Sequence, residues 1–164
     1  MRTRLAFSLV AVLAVGCGGG SGAGKFDYLF DAQTGPVPTL DTLKGKWAAT
    51  ATGEGVVADL RFVFEDNLIT MAAHCTFANN HTASVGIEVV STIDDPQYFA
   101  VQNQTVFGGY VHFLESKSQQ AKNGNYFCGF SALAGAQSYY YLGTPQSLFI
   151  VDTVQFAMNK LSNL

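Results

Sequence analysis

The chain has 164 residues, enough for one domain once a targeting segment is removed. Its formal charge is −3 and only 13% of its residues are charged, about half of the usual ~25%. The cations are scattered lysines, with Arg61 the one arginine beyond Arg4. No basic stripe exists to neutralise phosphates, which argues against nucleic acid as a partner.

The first residues read as a signal peptide over 1–16. Arg2 and Arg4 form a basic start, and Leu5 to Val15 is an apolar run. That run is too short to span a bilayer, which takes about 20 apolar residues. It ends in "LAVGC", which resembles the lipobox of bacterial lipoproteins. The resemblance implies cleavage after Gly16 and acylation of Cys17, with palmitate among the fatty chains. It also implies a membrane partner through the anchor, and Gly18 fits outer-membrane sorting. An ordinary secretory signal with a free Cys17 is the competing reading. "GGGSGAG", Gly18 to Gly24, suits a flexible tether behind an anchored residue.

With Cys17 assigned to lipid, Cys75 and Cys128 remain, an even pair in an exported chain. A disulfide between them closes a loop of about 54 residues, worth about 4 kcal/mol by loop closure.

Residues 17–40 read as lipidated cysteine, tether and leader. Within them "KFDYLFDAQTGPVPTL" mixes aromatics with turn residues, and Pro36 and Pro38 forbid a regular element there. The leader is expected to lie on the surface of the domain formed by 41–164. "DTLK", Asp41 to Lys44, predicts one helical turn with Asp41 as its N-cap. From Trp47 onward strand follows strand. "VVADLRFVF" sets Val56, Ala58, Leu60, Phe62 and Phe64 on one face, with Val57, Asp59, Arg61 and Val63 on the other. Glu65 to Asn67 turns the chain, and Leu68 to Phe77 and His81 to Ile93 form the next strands. Further strands are expected at Tyr98 to Gln102, Val106 to Phe113, Tyr126 to Leu133, Ser138 to Leu142, Leu148 to Val151 and Val154 to Leu161. Leu114 to Gly124 reads as one short helix, stopped by Gly124. So many short strands, with turns every 8–12 residues, predict an all-β antiparallel sandwich or barrel.

Three motifs invite chemistry, and none supplies it. "AAHC", Ala72 to Cys75, is the tail of the histidine motif of trypsin-like proteases. Here Met71 stands where that motif has Ser or Thr, and no Gly-rich serine loop follows. His74 and Cys75 also lie on opposite faces of one strand, so they cannot easily share a zinc ion with His81 and Cys128. The acids at Glu65–Asp66 and Asp94–Asp95 sit in predicted turns. Asp59 and Arg61 share an outward face. Neither catalytic residues nor metal ligands nor a cofactor are expected.

"LKGKW", Leu43 to Trp47, is the informative motif. A Gly-x-Trp opening the first strand resembles the entry of lipocalins and their calycin relatives. The resemblance implies a small up-and-down β-barrel of roughly 8–10 strands, with Gly45 and Trp47 at its closed end. It also implies a basic side chain from the last strand packed on the Trp, for which Lys160 is the nearest residue. The expected function is non-enzymatic: a lipid-anchored envelope protein binding a small apolar ligand, a lipid or fatty acid. Leu60, Phe62 and Phe64 are its candidate cavity lining. The alternative is a protein-binding module, like periplasmic protease inhibitors of calycin type, with "FDYLFDAQ" as the active segment.

Overall fold

The computed structural model describes residues 23–31, 39–53, 55–101, 103–143, 147–151 and 155–164. The signal peptide, Cys17 and most of the tether lie outside the described residues.

The fold is all-β and antiparallel. Its strands are β1 (Gly45–Gly53), β2 (Val56–Phe64), β3 (Leu68–Phe77), β4 (Thr82–Ile93), β5 (Gln97–Val101), β6 (Gln104–Phe113), β7 (Lys117–Asn123), β8 (Tyr126–Ala132), β9 (Gln137–Leu142), β10 (Ser147–Val151) and β11 (Gln155–Ser162). Hydrogen-bonded neighbours run β4-β3-β2-β1-β11-β10-β9-β6, and a β4–β6 pairing returns the series to its start. The result is a closed up-and-down ring of eight strands, which leaves few free sheet edges in a chain poor in charge. The expected strands are present within two residues of their expected bounds, with Gln102 and Val154 outside the described residues.

Three of the eight staves are interrupted. β4 and β5 both pair with β6 on the same side, with Asp94, Asp95 and Pro96 as a one-residue bulge between them. β6 and β9 pair from Phe107↔Leu142 to His112↔Gln137, and β7 and β8 resume in the same register at Lys117↔Ala132. The two pairs are therefore one long hairpin, bent at Leu114–Ser116 and Leu133–Ala136. Its upper half, β7–β8, is an arm that leaves the ring and leans over its interior. There Cys128 is disulfide-bonded to Cys75 of β3, with the two Cα atoms 6.4 Å apart.

Along β4 above Ser91 the arm takes the neighbouring place without forming a ladder. Side chains do that work instead: Gly86 N–H donates to Gln119 Oε1 (2.7 Å) and Val90 N–H to Glu115 Oε1 (2.9 Å). At the tip, Asn123 and Asn79 bond each other and the Tyr126 ring lies against Gly55.

Two expected helical segments are corrected. Leu114 to Gly124 is not a helix: it enters the arm, with Gln119, Ala121 and Asn123 turned inward and seven residue pairs bonded to β8. Tertiary pairing overrides its polar, helix-compatible composition. Gly124, at φ +60°, is the first residue of a two-residue hairpin turn rather than a helix stop. Asp41 to Lys44 is no helical turn either. The carbonyls of Thr39 and Thr42 accept bonds from Lys160 Nζ, and Lys44 N–H is capped by Thr42 Oγ1 rather than by Asp41.

Helical structure lies earlier, as a 3-10 helix over Ala23–Phe30. This leader helix packs on the outer wall, with Phe26 and Leu29 buried against Val63 and Ala72. Phe26 fits the notch left by Gly86, where any side chain would strike the ring. Lys25 pairs with Glu88 at 2.6 Å.

Candidate functional site

The closed end of the barrel is built around Trp47, which is fully buried and donates its indole N–H to Leu43 O at 2.8 Å. Lys160, paired with Trp47 across β1–β11, holds its ammonium 5.3 Å from the ring centroid. The same ammonium donates to Thr39 O (2.9 Å) and Thr42 O (3.0 Å). Burial holds Lys160 below the usual lysine range, and Asp41 offsets part of that shift. Gly45 explains its own place in the motif. Its φ of +133° and its contact with the Ser162 carbonyl leave no room for a side chain. Together these residues form a plug without catalytic chemistry.

The expected cavity residues do face inward. Leu60, Phe62 and Phe64 are exposed by only 4%, 5% and 1%. Protein covers these side chains almost completely. Phe62 meets Phe64 at 6.1 Å and, edge-on, Phe130 of the arm at 6.0 Å. With Cys128 and Ala132, the arm packs the upper barrel against β2, β3 and β4. One polar group has no partner in this core. Ser91 Oγ is the single buried side-chain oxygen or nitrogen without a hydrogen bond among the described residues. Tyr140, also fully buried, donates its hydroxyl to Asp94 O at 2.6 Å, and burial raises its phenol well above the usual range.

His74 points out of the barrel, opposite to Cys75. Its Nε2 lies 3.3 Å from Asp27 Oδ1, and the Phe30 ring stacks on the imidazole at 3.5 Å. Arg61, on the same outer wall, covers the Phe30 ring at 4.8 Å. These contacts hold the leader helix down. Among the described residues no three His, Cys, Asp or Glu side chains are grouped to hold a metal ion.

The feature that sequence reasoning missed is an aromatic patch on the outer face of β5, β6 and β9. Tyr110 and Tyr139 are directly opposed across β6–β9, with centroids 6.4 Å apart. Phe99 stands 6.4 Å from Tyr110 and 6.5 Å from Tyr139, and Tyr141 continues the row 6.4 Å beyond Tyr139. Tyr110 is 39% exposed. Comparison with protein-family models, with curated proteins and with solved structures finds no match. The geometry of the chain itself therefore carries the functional argument. The signal was present in "SYYYL", where the alternation that buries Tyr140 sends Tyr139 and Tyr141 outward, onto positions that polar residues ordinarily fill.

Proposed function

We propose that this chain is a lipid-anchored protein of the bacterial outer membrane that acts as a binding module, recognising its partner through the outer aromatic face. The single observation that carries this reading is the division of its aromatic rings. Phe62, Phe64 and Tyr140 inside the barrel are covered by protein, whereas Tyr110 is exposed and Phe99 and Tyr139 are half-buried on one outer wall. Tyrosine gives a recognition surface large contact area at low entropic cost, with a hydroxyl left for hydrogen bonding. Cys17 and its tether would hold that face near the membrane. A photo-cross-linking residue placed at Gln97, an exposed position on the same face of β5 as Phe99, tests the reading in living cells. A discrete adduct is expected there and none from Val57, an exposed position on β2. Equal adducts from both would remove it.

The second reading is carriage of a lipid or fatty acid inside the barrel. Two observations favour it: the unpartnered Ser91 hydroxyl and the unladdered seam between β4 and the arm. Native mass spectrometry of gently extracted protein tests it, since a co-purified lipid is its expected result. The inhibitor form of the protein-binding reading has less support, because Phe26 and Leu29 of its proposed active segment are buried on the barrel wall.

A further inference from the structure

We propose that Phe99, Tyr110 and Tyr139 form a receiving site for a methylated ammonium group. This rests on the outer-face reading and names the ligand class for it. The three residues come from three neighbouring strands, β5, β6 and β9. Their ring centroids are 6.4, 6.4 and 6.5 Å apart, close to an equilateral triangle. Phe99 and Tyr110 are within 25° of parallel, and Tyr139 is turned 82° and 62° to them. A cation seated over the centre lies within about 6 Å of all three centroids, inside the range of cation–π attraction.

Charge selects the same occupant. β5, β6 and β9 contain no Lys or Arg. Asp94 borders the face: its backbone N–H donates to Tyr110 O at 2.9 Å, and its carboxylate stands 3.3 Å from Nε2 of His112, whose ring lies 6.2 Å from that of Tyr110. The face therefore presents ring quadrupoles near a carboxylate and no lysine or arginine to hold an anion. A bare ammonium is strongly hydrated and keeps its water, whereas a methylated one brings apolar surface to the rings and loses less hydration. Cross-strand packing alone would explain the three rings as a brace for the sheet. A brace, however, would not discriminate between a cation and a neutral molecule of the same shape.

The test titrates the full chain with choline and, separately, with 3,3-dimethylbutan-1-ol, its uncharged isostere, following tyrosine ring resonances by NMR. Choline is expected to saturate with a Kd of roughly millimolar order, with the isostere at least about tenfold weaker. Tyr110→Phe should keep binding, Tyr110→Leu should lose it, and Asp94→Asn should weaken it several-fold. The Phe and Leu pair separates loss of the ring from loss of the fold. Equal binding of choline and isostere would overturn the proposal, as would no binding of either. A discrete cross-link from Gln97 without choline binding would overturn the ligand class alone and leave the recognition face standing. Absence of both would remove the two together.

Discussion

Lys160 lies over the indole of Trp47, 5.3 Å from its centroid, and the two are cross-strand partners where the last strand meets the first. The ammonium therefore serves three acceptors at once: the ring face and the carbonyls of Thr39 and Thr42. Trp47→Ala should destabilise the fold by about 3–5 kcal/mol, as large buried aromatic truncations do. Lys160→Ala should cost about 1–3 kcal/mol, since the two carbonyls lose their donor. Urea denaturation of each variant measures both, and a Trp47→Ala protein of native stability would remove the plug.

The staple and the arm make a second prediction. Replacing Cys75 and Cys128 by Ala should lower stability by up to about 4 kcal/mol through loop closure. The loss should be uneven. Besides the disulfide, the arm is held by a few inward side chains, Ala121, Phe130 and Ala132 among them, and by side-chain bonds along β4. Hydrogen exchange in the double variant should therefore rise first across 117–132, with β1–β3 protected longer.

Tyr140 gives a pH prediction. Burial raises its folded pKa, with Asp95 and Asp94 acting in the same direction. The unfolded phenol ionises near 10, so it releases a proton there that the folded one keeps. The stability due to this group is whole below pH 10 and falls as pH rises beyond it. Tyr140→Phe should flatten that alkaline loss while costing the bond to Asp94 O at neutral pH. Thermal melts of both proteins between pH 8 and 11 check the sign.

The leader helix depends on an empty space. Gly86→Ala would push a methyl group into the Phe26 ring and should release residues 23–30 from the wall. The cost is bounded by the burial of one Phe side chain, about 1.5–3 kcal/mol. Because both changes break one contact, Phe26→Ala and Gly86→Ala should be strongly non-additive in a double-mutant cycle.

Cys17→Ala tests the anchor. A single acyl chain holds a protein at a membrane only marginally, and stable attachment takes more than one. The variant should therefore lose radiolabelled palmitate and leave the membrane fraction. Retention of both would refute the lipobox reading.

Much of this architecture was legible in the residues. "VVADLRFVF" alternates clearly enough to bound β2 to the residue, and the Glu65–Asn67 turn then fixes the start of β3 at Leu68, although the leader helix also buries Val63 and Ala72 on the outer face. Trp47 and Lys160 could be brought together by resemblance. The arm was not legible over Leu114 to Gly124. Its strand character comes from pairing with β8 and lying along β4, and a polar run with helix-compatible composition carries no trace of that. The aromatic face was missed for another reason. Tyr139 and Tyr141 share one strand with Tyr140, and a run of three tyrosines does not itself tell which ring enters the core and which stay outside. Nor could any pattern fix whether Phe62 lines a hollow or fills it, since that depends on Phe130, far along the chain in the bent hairpin.

The closure of the ring between Lys46 and Ser162 also sets an order of events. A polypeptide emerges amino terminus first, so β1, β2 and β3 can zip together as a local meander early. The outer edge of β1 then waits unpaired until almost the whole domain has followed. Through that interval the indole of Trp47 lacks the cation that later covers it, and a sticky strand edge faces its surroundings. The nascent barrel is thus most vulnerable to misassociation just before its last strand arrives, and an escort during emergence would protect it best by shielding the amino-terminal strand.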